Sequence, residues 1–174
     1  MNKSQEQVSA EEKGQVAFRA LLQGNYKYAA DMFSLALKEL RGQANEEIYY
    51  VLCLDGLGQA QLGHQLFAEA EASLGEALSL YENVFVDDSF GRFSVLCHLG
   101  LVNSRQGLYE RARTFYGQAL IIGEATLQSE PLVLVHACLE GYAYVLRKLN
   151  LDVDAKLMEA RIEGILKAAD SDGT

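Results

Sequence analysis

The chain repeats itself. The segment Gly24-Asn25-Tyr26-Lys27-Tyr28-Ala29, followed by Phe33 and Ala36-Leu37, matches Gly107-Leu108-Tyr109-Glu110-Arg111-Ala112, followed by Tyr116 and Ala119-Leu120. Another segment keeps Phe67, Ala70, Leu74 and Ala77-Leu78, with Gln65 at the glycine position, and a fourth is reduced to Asn150, Asp152, Ala155 and Ile162. The aligned alanines Ala29, Ala70, Ala112 and Ala155 lie 41, 42 and 43 residues apart. A near-constant period of that length marks stacked supersecondary units, none of which can bury its apolar face alone.

Each unit reads as a helical hairpin. Upstream of each alanine stands a large-then-small pair: Val16-Ala17, Leu57-Gly58, Leu99-Gly100 and Tyr142-Ala143. Small residues on facing helices let the two backbones approach closely. The glycine between them ends the first helix, because it adopts the left-handed conformation at little cost. One proline in 174 residues is consistent with long helices. The pattern predicts helices over 11–23, 26–41, 45–63, 67–82, 90–106, 109–126, 130–148 and 152–169. Asp87-Asp88-Ser89 offers oxygen acceptors to the start of the fifth, and Pro131 with Ser129 or Glu130 suits the start of the seventh.

The hairpins resemble the tetratricopeptide repeat, whose ordinary period is 34 residues. About eight further residues per unit make them similar to the longer repeats of kinesin light chains. Ala68-Glu69-Ala70-Glu71 with Ala77-Leu78-Ser79-Leu80-Tyr81-Glu82 carries that likeness. So does Tyr142-Ala143-Tyr144-Val145-Leu146-Arg147-Lys148-Leu149-Asn150 running into Asp154-Ala155-Lys156. The resemblance implies one all-α domain over 10–169, a right-handed superhelix of about four hairpins (10–43, 51–84, 93–126 and 136–169), with flexible ends at 1–9 and 170–174.

It also implies a function. Family members hold partner peptides along the concave wall made by the first helix of each pair, so the expected role is a non-catalytic adapter or scaffold. In this register the groove positions are Asp55 and Gln59, then Leu101 and Arg105 with Cys97 and His98 beside them, then Glu140, Tyr144, Arg147 and Lys148. Gly14, Phe18, Leu21 and Leu22 are the first-hairpin counterparts and read as core or an N-terminal contact surface. Arg105, Arg147 and Lys148 could receive a partner carboxylate or simply complement helix dipoles. Kinesin-light-chain-like repeats carry paired asparagines just before the large-then-small pair. Here those places hold Asp55-Gly56, Cys97-His98 and Glu140-Gly141, so that family's ligand is not carried over. A chaperone for a secreted effector and a self-associating assembly subunit are the alternative roles.

Charge and reactive residues narrow the field. A net charge of −9 disfavours nucleic acid and anionic membranes, which attract clustered Lys and Arg, and mildly favours a basic partner segment. No apolar run approaches the roughly 20 residues that span a bilayer. Cys53, Cys97 and Cys138 sit inside apolar helical stretches and read as packed, reduced thiols of a cytoplasmic protein. Cys97 aligns two places away from the other two, so convergence on a metal is not expected. His136 and Glu140, one turn apart, lack a third ligand. No catalytic, cofactor or metal site is expected. The last helix reads as a solvated cap, with Leu157, Ile162, Ile165 and Leu166 on its apolar side.

Overall fold

The computed structural model describes residues 9–43, 46–126 and 132–172. Among them lie eight α-helices and no strand: α1 (Ala10–Leu22), α2 (Tyr26–Leu40), α3 (Glu47–Gly63), α4 (Phe67–Asn83), α5 (Ser89–Arg105), α6 (Tyr109–Thr126), α7 (Leu132–Lys148) and α8 (Asp152–Asp172). The expected caps at Ser129, Glu130 and Pro131, and the expected loose residues 1–8 and 173–174, lie outside the described residues. The chain divides into two compact units, Met1–Leu80 and Tyr81–Thr174, with the boundary inside α4.

Side-chain caps stand at the starts of α1 and α5. Ser9, expected to be loose, begins α1 with a reciprocal box. Its hydroxyl accepts from the Glu12 N–H at 3.2 Å, and the Glu12 carboxylate accepts from the Ser9 N–H at 2.8 Å. At α5 the expected cap is present: Asp88 Oδ1 accepts from the Gly91 N–H at 2.7 Å.

All four hairpins turn in the same way. In the first, the Gly24 N–H donates to the Leu21 carbonyl and the Asn25 N–H donates to the Ala20 carbonyl. The same pair of bonds recurs at Gln65 and Leu66, at Gly107 and Leu108, and at Asn150 and Leu151. This closure needs a positive φ at the first residue of each pair. Gly24 and Gly107 supply it freely at +73° and +76°, while Gln65 and Asn150 are driven to +63° and +60° despite their side chains. The turn is thus kept where the glycine is lost.

In the first unit the core forms where the aromatic of one helix meets a glycine of the next. Phe33 of α2 is fully buried over Gly56 of α3, and Phe18 meets its ring edge-on at 4.8 Å between centroids. Burying a ring of that size stabilises by roughly 1.5–3 kcal/mol. Leu74 of α4 lies against Gly58 of α3. The small residue of the Leu57-Gly58 pair therefore receives a side chain from the second helix of its hairpin.

The second unit repeats the device. Tyr81 covers Gly91, and Tyr116 of α6 covers Gly100 of its own hairpin and Gly141 of α7. Phe93, Leu99, Leu139 and Leu146 complete the buried layer. Among the described residues of α8, Ala155 and Met158 are buried, and Ile162 and Ile165 are half-buried. Leu157 and Leu166 are 57% and 51% exposed, so the expected apolar side was set too wide. The register explains this: Ala155 is the close-approach position, and helical spacing continues it to 158, 162 and 165.

Candidate partner-binding groove

The first helices of the second unit, α5 and α7, present one face each to a shared cavity. Cys97, Leu101 and Arg105 recur every four residues along α5. Leu134, Ala137, Cys138, Gly141 and Tyr144 follow the same helical stripe on α7. Spacings of three and four keep such residues on one side of a helix. With His98, Ser104, Glu140 and the α6 residues Tyr109 and Tyr116 they enclose a cavity of about 630 Å³.

Five of the nine expected groove residues meet there: His98, Leu101, Arg105, Glu140 and Tyr144. Four do not line it. Asp55 and Gln59 belong to α3 in the first unit, where both are half-buried. Arg147 turns instead to α8, where its guanidinium donates to the Glu159 carboxylate. The Lys148 ammonium lies 5.3 Å from the Tyr144 ring centroid and screens one face of it. Of the first-hairpin positions, Gly14 is buried beneath Tyr49, Phe18 and Leu21 are half-buried, and Leu22 is 88% exposed.

The aromatic wall was missed. Tyr109 and Tyr144 meet edge-on at 6.4 Å between centroids. Tyr116 and Tyr142 stand 6.2 Å apart behind them. Tyr109 and Tyr116 were visible in the repeat, but as gap fillers between hairpins. Burial raises the Tyr116 pKa above its usual range; the nearby Cys138 and Cys97 thiols add to this, and Arg105 opposes it. The phenol therefore stays protonated as a donor beside the Arg105 guanidinium.

The cysteines are closer in space than their alignment suggested. Cys97 and Cys138 line the same cavity from facing helices, both buried and neither in a disulfide. Comparing positions within one repeat hid this, because two neighbouring first helices contribute different repeat positions to a shared cavity. Among the described residues no three His, Cys, Asp or Glu side chains are grouped to hold a metal ion. His136 Nδ1 and the Glu140 carboxylate stand 3.7 Å apart on one face of α7.

In two of the three hairpins the second of the paired-asparagine positions has no room for an asparagine. Positions 56 and 141 are aligned, and each glycine there lies under the aromatic knob of the preceding helix, Phe33 and Tyr116. Even a single added carbon would collide with those rings.

The tetratricopeptide-repeat family model matches residues 50–125, from within α3 to the end of α6. The chain carries tetratricopeptide repeats over that stretch. Solved tetratricopeptide-like folds superpose on nearly all of the chain. BtubC (BKLC) from P. vanneervenii matches with a TM-score of 0.84 at 20% identity, covering 92% of this chain and 64% of that one. The apo form of RapI gives 0.83 at 15% identity, covering 97% and 60%. The nearly identical TPR-like repeats of a Podosopora anserina kinesin light chain give 0.70 at 14% identity, covering 92% and 76%. The chain thus spans less than two thirds of the first two, and at such identities the likeness is one of fold. No curated protein matches the sequence. Among the described residues no helix is long and apolar enough to cross a membrane.

Proposed function

We propose that this chain is a non-catalytic interaction module that takes up a segment of a partner protein between α5 and α7. The observation that carries this is the cavity itself, about 630 Å³ with an apolar floor at Leu101, Leu134 and Ala137 and a tyrosine wall. A concave, largely apolar site with a few placed polar groups suits the capture of one or two bulky side chains. Arg105 at its edge supplies direction, and Glu140 and His98 contribute the remaining polarity. Three buried cysteines outside any disulfide fit a reducing, cytoplasmic setting.

Selection of random peptides displayed against the intact chain tests this reading. Selected peptides should lose binding to a Leu101→Glu, Tyr144→Glu variant, while Ile121→Glu, at a position 70% exposed on α6, leaves binding intact. Equal binding to the groove variant would remove the groove from the account.

A further inference from the structure

The outward face of α8 carries apolar and small residues that nothing covers among the described residues. Val153, Leu157, Ala160 and Gly164 follow one another at helical spacings, on the side opposite the core-facing Ala155, Met158, Ile162 and Ile165. All four are exposed, Val153 by 83% and Leu157 by 57%. The fold does not ask for this. The aligned places in α2 hold Lys27, Asp31, Ser34 and Lys38, all exposed, and those in α4 hold no large apolar side chain. Gly164 has no reason within the chain either. A mid-helix glycine weakens a helix relative to alanine, and a Cβ at this position would meet nothing within 4 Å.

The stripe is complementary to itself. Turned end for end about a two-fold axis at Ala160, it sets each Leu157 over Gly164 of the other copy, with the two Ala160 side chains between them. Lys156 and Glu163 share one flank of the stripe, and their midpoint falls at the same axis. A two-fold antiparallel pair brings equal flanks together, so each Lys156 meets Glu163 of the other copy. Both residues are exposed. Glu163 lies 3.8 Å from Lys167 of its own helix, and among the described residues no ion pair engages Lys156. We propose that α8 pairs antiparallel with α8 of a second copy of this chain, through Leu157, Ala160 and Gly164 and the flanking Lys156–Glu163 pairs.

Small residues alone would suit many helices. The opposite charges in the same register select this helix itself, and in one direction. A parallel pairing would oppose leucine to leucine and glycine to glycine, crowding one end and leaving a gap at the other. Small residues at the crossing bring two helix axes towards the near end of the usual range of about 8–10 Å. The net charge of −9 on each copy opposes association, but its reach is only about 8 Å at physiological ionic strength. A stripe on one helix falls short of the roughly 800 Å² per partner of a standard interface, so the dimer is weak and concentration-dependent. This surface is no part of the cavity lining, and the inference does not rest on the groove reading.

Sedimentation equilibrium of the full chain, from about 10 μM to about 1 mM at about 0.15 M salt, tests this. The chain should form a dimer that Leu157→Glu abolishes, with helicity unchanged. Lys156→Glu and Glu163→Lys should each weaken the dimer by about tenfold. Glu163→Lys should do so although it lowers the net negative charge. The double variant Lys156→Glu, Glu163→Lys should return to within about twofold of the parent, because it restores the pair with its signs exchanged. The groove variant Leu101→Glu, Tyr144→Glu should dimerise as the parent does. A monomer across the whole concentration range, a dimer indifferent to Leu157→Glu, or a double variant no tighter than either single overturns the assignment. A dimer lost in the groove variant places the second copy in the groove and overturns it too.

Discussion

The phenol of Tyr116 reaches from α6 onto Gly141 of α7, so close that a Cβ at Gly141 would overlap its ring. Tyr116 is only 2% exposed and has little room to withdraw. Gly141→Ala should therefore destabilise the chain by about 1–3 kcal/mol of overpacking, less roughly 1 kcal/mol regained in helix propensity. Leu74 occupies the matching position one hairpin earlier. Adding Tyr116→Leu to Gly141→Ala should restore part of the loss. Urea melts of the single and double variants check this; a double variant weaker than the sum of both singles counts against the contact.

The strained turns predict the opposite sign. Gln65 holds a φ of +63° where two sister hairpins place glycine. Gln65→Gly should stabilise by up to about 1 kcal/mol, because the left-handed conformation costs a side-chain-bearing residue roughly that much or more. Asn150→Gly should gain less, since asparagine tolerates φ near +60° better than glutamine. Thermal melts that rank the two the other way would mean that turn strain is not the controlling quantity.

Much of this could be read from residues alone. Seven of the eight helices fall within two residues of their sequence-based bounds, because Gly24, Gly107 and Asn150 end helices by a local mechanism that needs no tertiary information; α8 runs three residues past its expected end, through 170–172, which were expected to be loose. Gln65 was placed correctly through its alignment, not its chemistry. Contacts across helices were less legible. Glu159 stands where Phe33, Leu74 and Tyr116 stand in the other hairpins, and its pairing with Arg147 takes that cation from the cavity. The joint placement of Cys97 and Cys138, and the Tyr109–Tyr144 pair, depend on how successive helices are offset, which periodicity within one repeat does not encode.

A buried polar residue gives a third test. Asn103 is wholly buried; its Nδ2 donates to the Leu99 carbonyl at 2.9 Å, and its Oδ1 has no partner among the described residues. The aligned residue of the fourth hairpin is Leu146, also buried. Asn103→Leu should stabilise by about 1 kcal/mol, because an orphaned buried acceptor costs about 1–3 kcal/mol. A stability loss in denaturant melts would indicate that Oδ1 is satisfied in solution.

High pH should weaken the first unit. Burial pushes the Cys53 thiol from 9.0 up to about 11, and burial, with the nearby Cys53 and Glu11, pushes the Tyr49 phenol from 10.0 up to about 12. Both groups keep their protons in the folded chain at pH values where the unfolded chain releases them. The stability they contribute is complete below pH 9 and is lost as pH rises towards 12. The Tyr49→Phe variant forfeits the 2.9 Å bond to the Glu11 carbonyl, yet its stability should fall less steeply across this window. Parallel slopes for the two chains in melts between pH 9 and 12 would contradict the assignment.

The central claim is that a partner segment lies between α5 and α7, and amide NMR of the full chain titrated with a display-selected peptide measures it most directly. Shifts should concentrate on Leu101, Arg105, Tyr109, Ala137, Gly141 and Tyr144 and leave α1 and α2 unmoved. Shifts confined to the outer residues Ile121, Val153 and Leu157, with the cavity residues unchanged, would contradict the account.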